Sequence, residues 1–272
     1  MKHIDEHIQK IQNWFKNHPK VLIALSGGVD SCLVAFMARK YLGKENAIAV
    51  ISNSVSLKSK DYKDAQQFAL DNDILLYEID AKEINNPGYN SNPIDRCYYC
   101  KSNLYQSIQS LTKEKFIDYE ILNGNNYSDL GDYRPGIKAA KEYKALSPLA
   151  ECEINKITIR DISNHFRLSV WDKPASPCLS SRFPYGEKIT IQKLKQVEQA
   201  EDFLNTKGFR DVRVRYMKGK AKIEVPKKQI SLLENIQIQV SQQLKQIGFH
   251  NVTIDKEGFV SGKLNRDIDN IL

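Results

Sequence analysis

The hexapeptide SGGVDS at residues 26–31 has the residue types and the spacing of a phosphate-binding loop. Glycine lets the backbone approach an anion closely, and the helix predicted to follow would aim its free N–H groups at that anion. A Walker loop adds a lysine that reaches the β- and γ-phosphates, and this loop has none. The sequence therefore predicts cleavage of ATP between its α- and β-phosphates, with AMP passing to an acceptor. The residues expected to hold ATP, with Asp30 also suited to Mg²⁺, are Ser26, Gly27, Gly28, Asp30 and Ser31.

A cysteine lies in the proline- and serine-rich stretch WDKPASPCLSSRFPYG at residues 171–186. Because Cys178 is not part of an apolar pattern, we expect its thiol to be accessible. Lys173 and Arg182 are close in the chain, and positive neighbours favour the thiolate, which is the nucleophilic form of cysteine. The stretch therefore predicts a nucleophilic cysteine in a connecting loop.

Two further cysteines form the C-x-x-C motif of Cys97 and Cys100. This spacing alone is compatible with thiol–disulfide exchange, half of a zinc site or cluster ligation. With Cys178 the motif provides three thiolates, which can hold a [4Fe–4S] cluster and leave one iron free for an additional sulfide. Cys32 and Cys152 are interpreted as structural.

Two polar stretches add candidate substrate ligands. NGNNYSDLGDYRPG begins where a predicted strand ends, a usual place for nucleotides. Its carboxylates suit Mg²⁺ or hydroxyl groups, and its guanidinium suits a carboxylate or phosphate. The candidates in this stretch are Gly124, Asp129, Asp132 and Arg134. In DVRVRY, Arg213 and Arg215 alternate along a predicted strand, so they share one face, where a phosphate would relieve their mutual repulsion.

The elements that position these residues alternate in the first half of the chain. Strands are predicted at KVLIAL, NAIAVISN, DILLYEID and DYEILNG, with helices at SCLVAFMARKYLG, at KSKDYKDAQQFALDN and near residues 101–112. This order predicts an α/β fold with a parallel sheet and with ligands at the carboxyl ends of its strands.

The second half has a different order, namely a helix, two strands, a helix over QISLLENIQIQVSQQLKQIG and a final strand. We expect an α/β domain over residues 1–180 and a small α+β domain over residues 181–272. Residues 182–272 hold 17 basic and 11 acidic residues, which indicates a nucleotide phosphate or polynucleotide partner unless the excess is a solvated face.

Composition excludes several protein classes. A length of 272 residues suffices for one large or two ordinary domains, and the mean hydropathy of −0.49 predicts a soluble protein. The apolar runs are too short for a membrane span. The N-terminal residues carry acids and form no signal peptide, so we expect a cytoplasmic location and no disulfide framework.

The motif LSGGVDS resembles the PP-loop of the ATP pyrophosphatases, which include GMP, NAD and asparagine synthetases and tRNA thiolases. Together with RCYYCKSNLY, NGNNYSDLGDYRPG and WDKPASPCLSSRFPYG it resembles, over essentially the whole chain, the LarE family. These are ATP-dependent sulfur transferases of nickel-pincer nucleotide cofactor biosynthesis. The resemblance implies an adenine nucleotide alpha hydrolase-like fold for the first domain. The family more often has Asp-Gly-Thr-Asn where this chain has Asn-Gly-Asn-Asn.

The resemblance also implies a substrate and an assembly. The substrate would be pyridinium-3,5-biscarboxylic acid mononucleotide, whose carboxylates are adenylated and become thiocarboxylates. Cys178 would either be sacrificed, leaving dehydroalanine, or join Cys97 and Cys100 in a [4Fe–4S] cluster; the cysteine-rich pattern favours the cluster. Trimer-based homo-oligomers are implied. The remaining residues implied near the reaction or the substrate are Glu201, Glu224, Arg182, Arg213 and Arg215.

Three other functions are weighed against this one. A tRNA thiolase is the main alternative, but the basic second half shows no RNA-binding motif, which disfavours a nucleic-acid partner. A nucleotide-sensing module would bind ATP without releasing pyrophosphate. An amidating synthetase is disfavoured because no glutamine-hydrolysing domain is evident.

Overall fold

The computed structural model describes residues 2–131 and 135–260 together with residues 262, 263 and 266. The chain divides into two compact units. The first consists of Met1–Glu83 with Cys97–Ser176, and the second of Ile84–Arg96 with Pro177–Leu272. The second unit thus includes a segment that precedes the rest of it in the chain.

The first unit is built on a parallel four-stranded sheet in the order β3-β2-β1-β4. Its strands are β1 (Val21–Ala24), β2 (Ala47–Ser52), β3 (Leu75–Ile79) and β4 (Glu120–Leu122). β1 is buried throughout and β2 over all but its last residue, as expected for apolar strands that helices cover on both faces. The predicted α/β fold with a parallel sheet is confirmed.

Helices cover both faces of this sheet. They are α1 (Lys2–Lys16), α2 (Val29–Leu42), α3 (Ser59–Asp71), α5 (Arg96–Glu114), α6 (Pro135–Glu142), α7 (Pro148–Glu151) and α8 (Lys156–His165). Alternate residues of β1 face opposite layers. Val21 and Ile23 pack in a core with α1, α2 and α8, whereas Leu22 and Ala24 pack with α5 and α6. The two layers fix the sheet whose edge carries the candidate site.

Two loops leave the sheet at neighbouring strands. β1 pairs with β4 in parallel, with Ile23 opposite Leu122. The loop over residues 25–28 follows β1 and the loop over residues 123–126 follows β4. Parallel pairing therefore places both loops at the same carboxyl edge.

The second unit contains a mixed sheet in the order β5-β6-β7. Its elements are α4 (Pro87–Asn90), α9 (Ile191–Thr206), β5 (Arg213–Met217), β6 (Lys220–Glu224), α10 (Ile230–Asn235), α11 (Gln237–Ile247) and β7 (Asn251–Ile254). β5 and β6 are antiparallel, and β7 joins β6 in parallel. The hairpin turns at Lys218 and Gly219, whose φ angles of 49° and 84° are the two left-handed positions of a type I′ turn.

The helices differ in part from the prediction. The patterns above do not predict α1, α6 or α8, and the helix expected over residues 229–248 is divided at Ile236, which leaves the helical region with φ −112°. Leu233 before the break and Val240 and Leu244 after it are buried. Over the described part of the chain, we find no helix with the length and apolar character needed to span a membrane.

Candidate active site

The glycine loop joins β1 to α2 and is closed by its own serines. Ser31 Oγ accepts a hydrogen bond from Ser26 N at 3.1 Å and donates one to Gly28 O at 3.1 Å. Ser26 Oγ lies 3.0 Å from Ser31 Oγ. Gly28 caps α2 without a side-chain hydrogen bond, and α2 is 14 residues long. A long helix whose N-terminus no side chain caps attracts anions, so the loop can hold a diphosphate.

Close backbone packing requires glycine at two positions of the site. At Gly27, where φ is +73°, a Cβ atom would lie 3.0 Å from Asp61 O. At Gly124 it would lie 2.7 Å from Ser31 N, closer than side chains come to backbone. Gly124 therefore lets the loop after β4 lie directly against the first turn of α2.

Asp30, in the first turn of α2, contacts two side chains from other elements. Lys156 Nζ lies 2.5 Å from Asp30 Oδ2, and Asn126 Nδ2 donates to Asp30 Oδ1 over 3.4 Å. The side chains of Asp30 and Lys156 are 23% and 38% exposed, so solvent reaches the pair. A carboxylate in this position fits Mg²⁺, which prefers oxygen ligands, and Lys156 provides the positive charge that the loop sequence lacks.

A second lysine reaches the same loop. Lys173 Nζ donates to Gly27 O at 3.1 Å and forms ion pairs with Asp61 at 2.9 Å and Asp64 at 3.5 Å. The sequence pattern assigns Lys173 to the thiolate of Cys178. The contacts observed for its ammonium are with the glycine loop and with α3.

The polar stretch after β4 shapes itself through its own side chains. Asp129 is buried, and its Oδ2 accepts from Asn126 N at 3.0 Å. Asp129 therefore fixes the turn that carries Asn126 towards Asp30, while its role as a substrate ligand stays a prediction. Asp132 and Arg134 lie outside the described residues.

In the second unit, Cys178 is partly exposed and precedes a short 3-10 turn. Four backbone carbonyls at and near Cys178 in the chain accept hydrogen bonds from three arginines. These bonds are Arg182 to Pro177 O (2.8 Å) and Cys178 O (3.3 Å), Arg96 to Ser180 O (3.0 Å) and Arg215 to Ser181 O (2.6 Å). The backbone around the thiol is held while the thiol itself stays partly exposed, as a nucleophile requires.

Arg182 is bonded entirely within this unit. It is 1% exposed, and its Nε and Nη2 donate to the two carboxylate oxygens of Glu201 at 2.8 and 3.0 Å. Glu201 Oε1 also accepts from Val214 N at 3.0 Å. Nη1 donates to the carbonyl of Pro177, so all three guanidinium nitrogens have protein partners. Arg182 and Glu201 therefore support β5 and the segment around Cys178, residues 177–181, which we call the thiol loop.

Arg213 and Arg215 lie two residues apart on β5 but have different partners. Arg215 pairs with Glu224 at 2.9 Å, and both side chains are nearly buried. The Arg213 guanidinium lies over the Phe259 ring, 4.1 Å from its centroid, and pairs with no carboxylate among the described residues. Its own burial and the nearby charges of Arg182 and Arg215 lower the pKa of Arg213 to about 10. Three guanidiniums beside two carboxylates leave one positive charge uncompensated, which suits an anion.

The C-x-x-C motif occupies the start of α5. Cys97 is exposed and Cys100 is partly buried, and their spacing of three residues places both on one face of the helix. Across the described residues, we find no group of three or more His, Cys, Asp or Glu placed to hold a metal ion. A cluster of the [4Fe–4S] type needs more thiolates than the two on α5, so the cluster site that Cys178 would complete stays a prediction.

The other two cysteines are buried. Burial raises the pKa of Cys32 to about 12 and that of Cys152 to about 11. Both thiols are therefore protonated at neutral pH and do not act as nucleophiles, in agreement with their structural interpretation.

Sequence reasoning missed Asp61, Asn126 and Lys156, because each reaches the glycine loop from a different element. One local signal was available for Lys156. Asn155 Oδ1 accepts from Thr158 N and caps α8, which places Lys156 in the first turn of that helix.

Comparison with known proteins gives partial and full-length matches. The NAD synthase family model matches residues 2–94. The uncharacterized protein slr1717 of Synechocystis is 44% identical over 97% of this chain and 98% of its own length. Pyridinium-3,5-bisthiocarboxylic acid mononucleotide synthase of Lactiplantibacillus plantarum is 34% identical over 92% of this chain and 90% of its own length. The glutamine-dependent NAD(+) synthetase of Aquifex aeolicus is 31% identical over 37% of this chain and 18% of its own length.

Proposed function

The chain belongs to the LarE family of ATP-dependent sulfur transferases in the PP-loop superfamily, and we propose that it acts on pyridinium-3,5-biscarboxylic acid mononucleotide. The enzyme adenylates a carboxylate of this substrate with ATP and converts it to a thiocarboxylate, a step of nickel-pincer nucleotide cofactor biosynthesis. The observation that carries the proposal is the similarity to the Lactiplantibacillus plantarum synthase across both units of the chain.

The first unit activates the carboxylate. A carboxylate oxygen attacks the α-phosphorus of ATP, the bond from that phosphorus to the bridging oxygen breaks, and pyrophosphate leaves. Free N–H groups at the start of α2 and the hydroxyl of Ser26 bind the developing negative charge. Asp30 would hold the Mg²⁺ that accompanies ATP and offsets the charge of its phosphates. Lys156 and Lys173 add positive charge beside the loop.

Cys178 carries out the sulfur transfer. Its thiolate attacks the carbonyl carbon of the acyl-adenylate and expels AMP, which leaves a thioester. Loss of the Cα proton of Cys178 and cleavage of its Cβ–Sγ bond then release the thiocarboxylate and leave dehydroalanine in the chain. The atoms balance without an external oxidant or reductant. We infer this route because it needs no thiol besides that of Cys178, which is partly exposed. A cluster-bound sulfide held by Cys97, Cys100 and Cys178, which the sequence pattern favours, stays the alternative source of sulfur.

Arg213 is our candidate for the substrate phosphate, because its guanidinium is the one of the three arginines that pairs with no described carboxylate. Arg215 contributes to the local positive charge while it holds the thiol loop through Ser181 O. Trimer-based assembly and a cytoplasmic location stay predictions of the sequence.

Two cysteine variants separate the steps of this mechanism. Cys178→Ala is expected to release AMP and pyrophosphate when given ATP and the dicarboxylate mononucleotide, but to form no thiocarboxylate. Cys97→Ala serves as the matched control and should keep a full single turnover. A wild-type enzyme that releases no pyrophosphate with this substrate, or that thiolates tRNA in its place, would contradict the proposed function.

A further inference from the structure

The segment that leads to the thiol loop, residues 171–176, runs beside the glycine loop; we call it the strap. Its backbone is fixed by Arg160 of α8, which donates to Trp171 O at 2.7 Å and to Lys173 O at 2.8 Å. Its side chains are fixed from the opposite direction by α3. Both sets of contacts lie within the first unit.

Asp61 of α3 is the residue on which the strap side chains converge. Its carboxylate accepts from Lys173 Nζ at 2.9 Å and from Ser176 Oγ at 2.6 Å. Asp61 is 8% exposed, and burial alone would raise its pKa. The hydrogen bonds from Ser176 and Lys173 nevertheless hold the pKa of Asp61 below its usual value, so the anchor is a carboxylate at neutral pH.

Lys173 also connects Asp61 to the glycine loop. Lys173 Nζ, which is bound to Asp61, also donates to Gly27 O at 3.1 Å. Gly27 lies against α3 as well, because a Cβ atom there would be 3.0 Å from the backbone oxygen of Asp61. Asp61 is therefore in contact with the glycine loop through its backbone and with the strap through its side chain.

We propose that Asp61 is a positioning residue for sulfur transfer: it fixes the strap on the glycine loop through Lys173 and Ser176. This inference rests on the proposed function. Cys178 follows Ser176 by two residues, so whatever restrains Ser176 restrains where the thiol can move. Reactions of this kind depend on a near-attack geometry, and a displacement of about 1 Å costs roughly 10²-fold in rate. Asp61 acts on the thiol step, after the carboxylate has been activated.

A purely structural ion pair would have a different signature. Loss of folded protein lowers AMP formation and thiocarboxylate formation in equal proportion. Loss of thiol positioning leaves AMP formation intact, while water intercepts the acyl-adenylate before Cys178 does. The ratio of thiocarboxylate formed to AMP released in a single turnover separates the two cases.

The test compares Asp61→Asn and Ser176→Ala with Lys60→Met, which removes a lysine from an exposed ion pair on the same helix. In both test variants we expect the thiocarboxylate-to-AMP ratio to fall about tenfold or more, with AMP formation within about threefold of wild type. Added hydrosulfide, a nucleophile that needs no positioning, should restore thiocarboxylate formation. Amide hydrogen exchange of peptides covering residues 171–176 should be faster in both variants and unchanged in Lys60→Met.

Two results would overturn the proposal. One is an unchanged thiocarboxylate-to-AMP ratio, whether or not both products fall in parallel, and the other is unchanged hydrogen exchange of the strap. If Asp61→Asn does not fold, Ser176→Ala decides by the same measurements. The exchange experiment needs no turnover. A wild-type enzyme that forms no AMP would therefore refute the proposed function, while the exchange data would still test the anchoring of the strap.

Discussion

Lys156 Nζ lies 2.5 Å from Asp30 Oδ2, so a lysine 126 residues further along the chain is bonded to the acidic residue of the glycine loop. The loop lacks the lysine of a Walker motif, and the fold brings one to it from the start of α8. This lysine neutralises Asp30. With Mg²⁺ on the Asp30 carboxylate, the ammonium of Lys156 would be available to the phosphates of the nucleotide.

Lys156→Met is expected to weaken ATP binding about tenfold, equivalent to about 1.4 kcal/mol, because a cation beside the glycine loop is lost. Isothermal titration with ATP and Mg²⁺ measures the effect. Lys10→Met is the matched control, since Lys10 forms an exposed pair with Glu153. An unchanged dissociation constant in Lys156→Met would show that Lys156 does not serve the nucleotide.

Gly124→Ala should weaken ATP binding and destabilise the first unit by about 1–3 kcal/mol, because the new Cβ would lie 2.7 Å from Ser31 N. Gly131→Ala is the control, since its Cβ would meet no atom of the described residues within 4 Å. Chemical denaturation and nucleotide titration measure the two effects. Equal stability of the two variants would contradict the close approach of the loop after β4 to α2.

Replacing the two arginines of β5 should have different consequences. Arg215→Met leaves the buried Glu224 with the more distant Lys263, at 3.9 Å, in place of Arg215 at 2.9 Å, so we expect a loss of up to about 3 kcal/mol in the free energy of unfolding. Arg213→Met removes no ion pair seen among the described residues, so stability should change little. Its KM for the mononucleotide substrate should rise by at least about tenfold, since a charge-assisted bond to phosphate is lost.

Denaturant unfolding and steady-state kinetics test both variants in parallel. If Arg213→Met is the less stable of the two and its KM is unchanged, then Arg213 is a structural residue and the phosphate lies elsewhere. A stable Arg215→Met would show that Glu224 is not dependent on this arginine.

The five cysteines should differ in reactivity. At pH 8, iodoacetamide is expected to modify Cys97 fastest, because it is exposed, and Cys178 measurably. Burial holds the pKa of Cys32 at about 12 and that of Cys152 at about 11, so both should stay unmodified in the folded protein. Peptide mass spectrometry reads the five sites separately. Modification of Cys32 at a rate near that of Cys97 would contradict the burial of α2.

The sequence predicts the parts of this site that local pattern determines. The glycine loop, the flanking strand and helix and the shared face of Arg213 and Arg215 follow from residue types and periodicity. Which arginine is neutralised does not, because the pairing of Arg215 with Glu224 depends on the register of β5 against β6. The contacts of Lys156 and Lys173 with the loop likewise require the packing of distant elements. The break at Ile236 is likewise absent from the periodicity, which runs through residues 229–248 as for one helix.

The most direct test of the central claim is the intact mass of anaerobically purified protein, with metal analysis, before and after one turnover with ATP and the dicarboxylate mononucleotide. We expect iron-free protein that loses the mass of H₂S at Cys178 and forms one thiocarboxylate per chain. Iron-containing protein that forms thiocarboxylate at unchanged mass would contradict it.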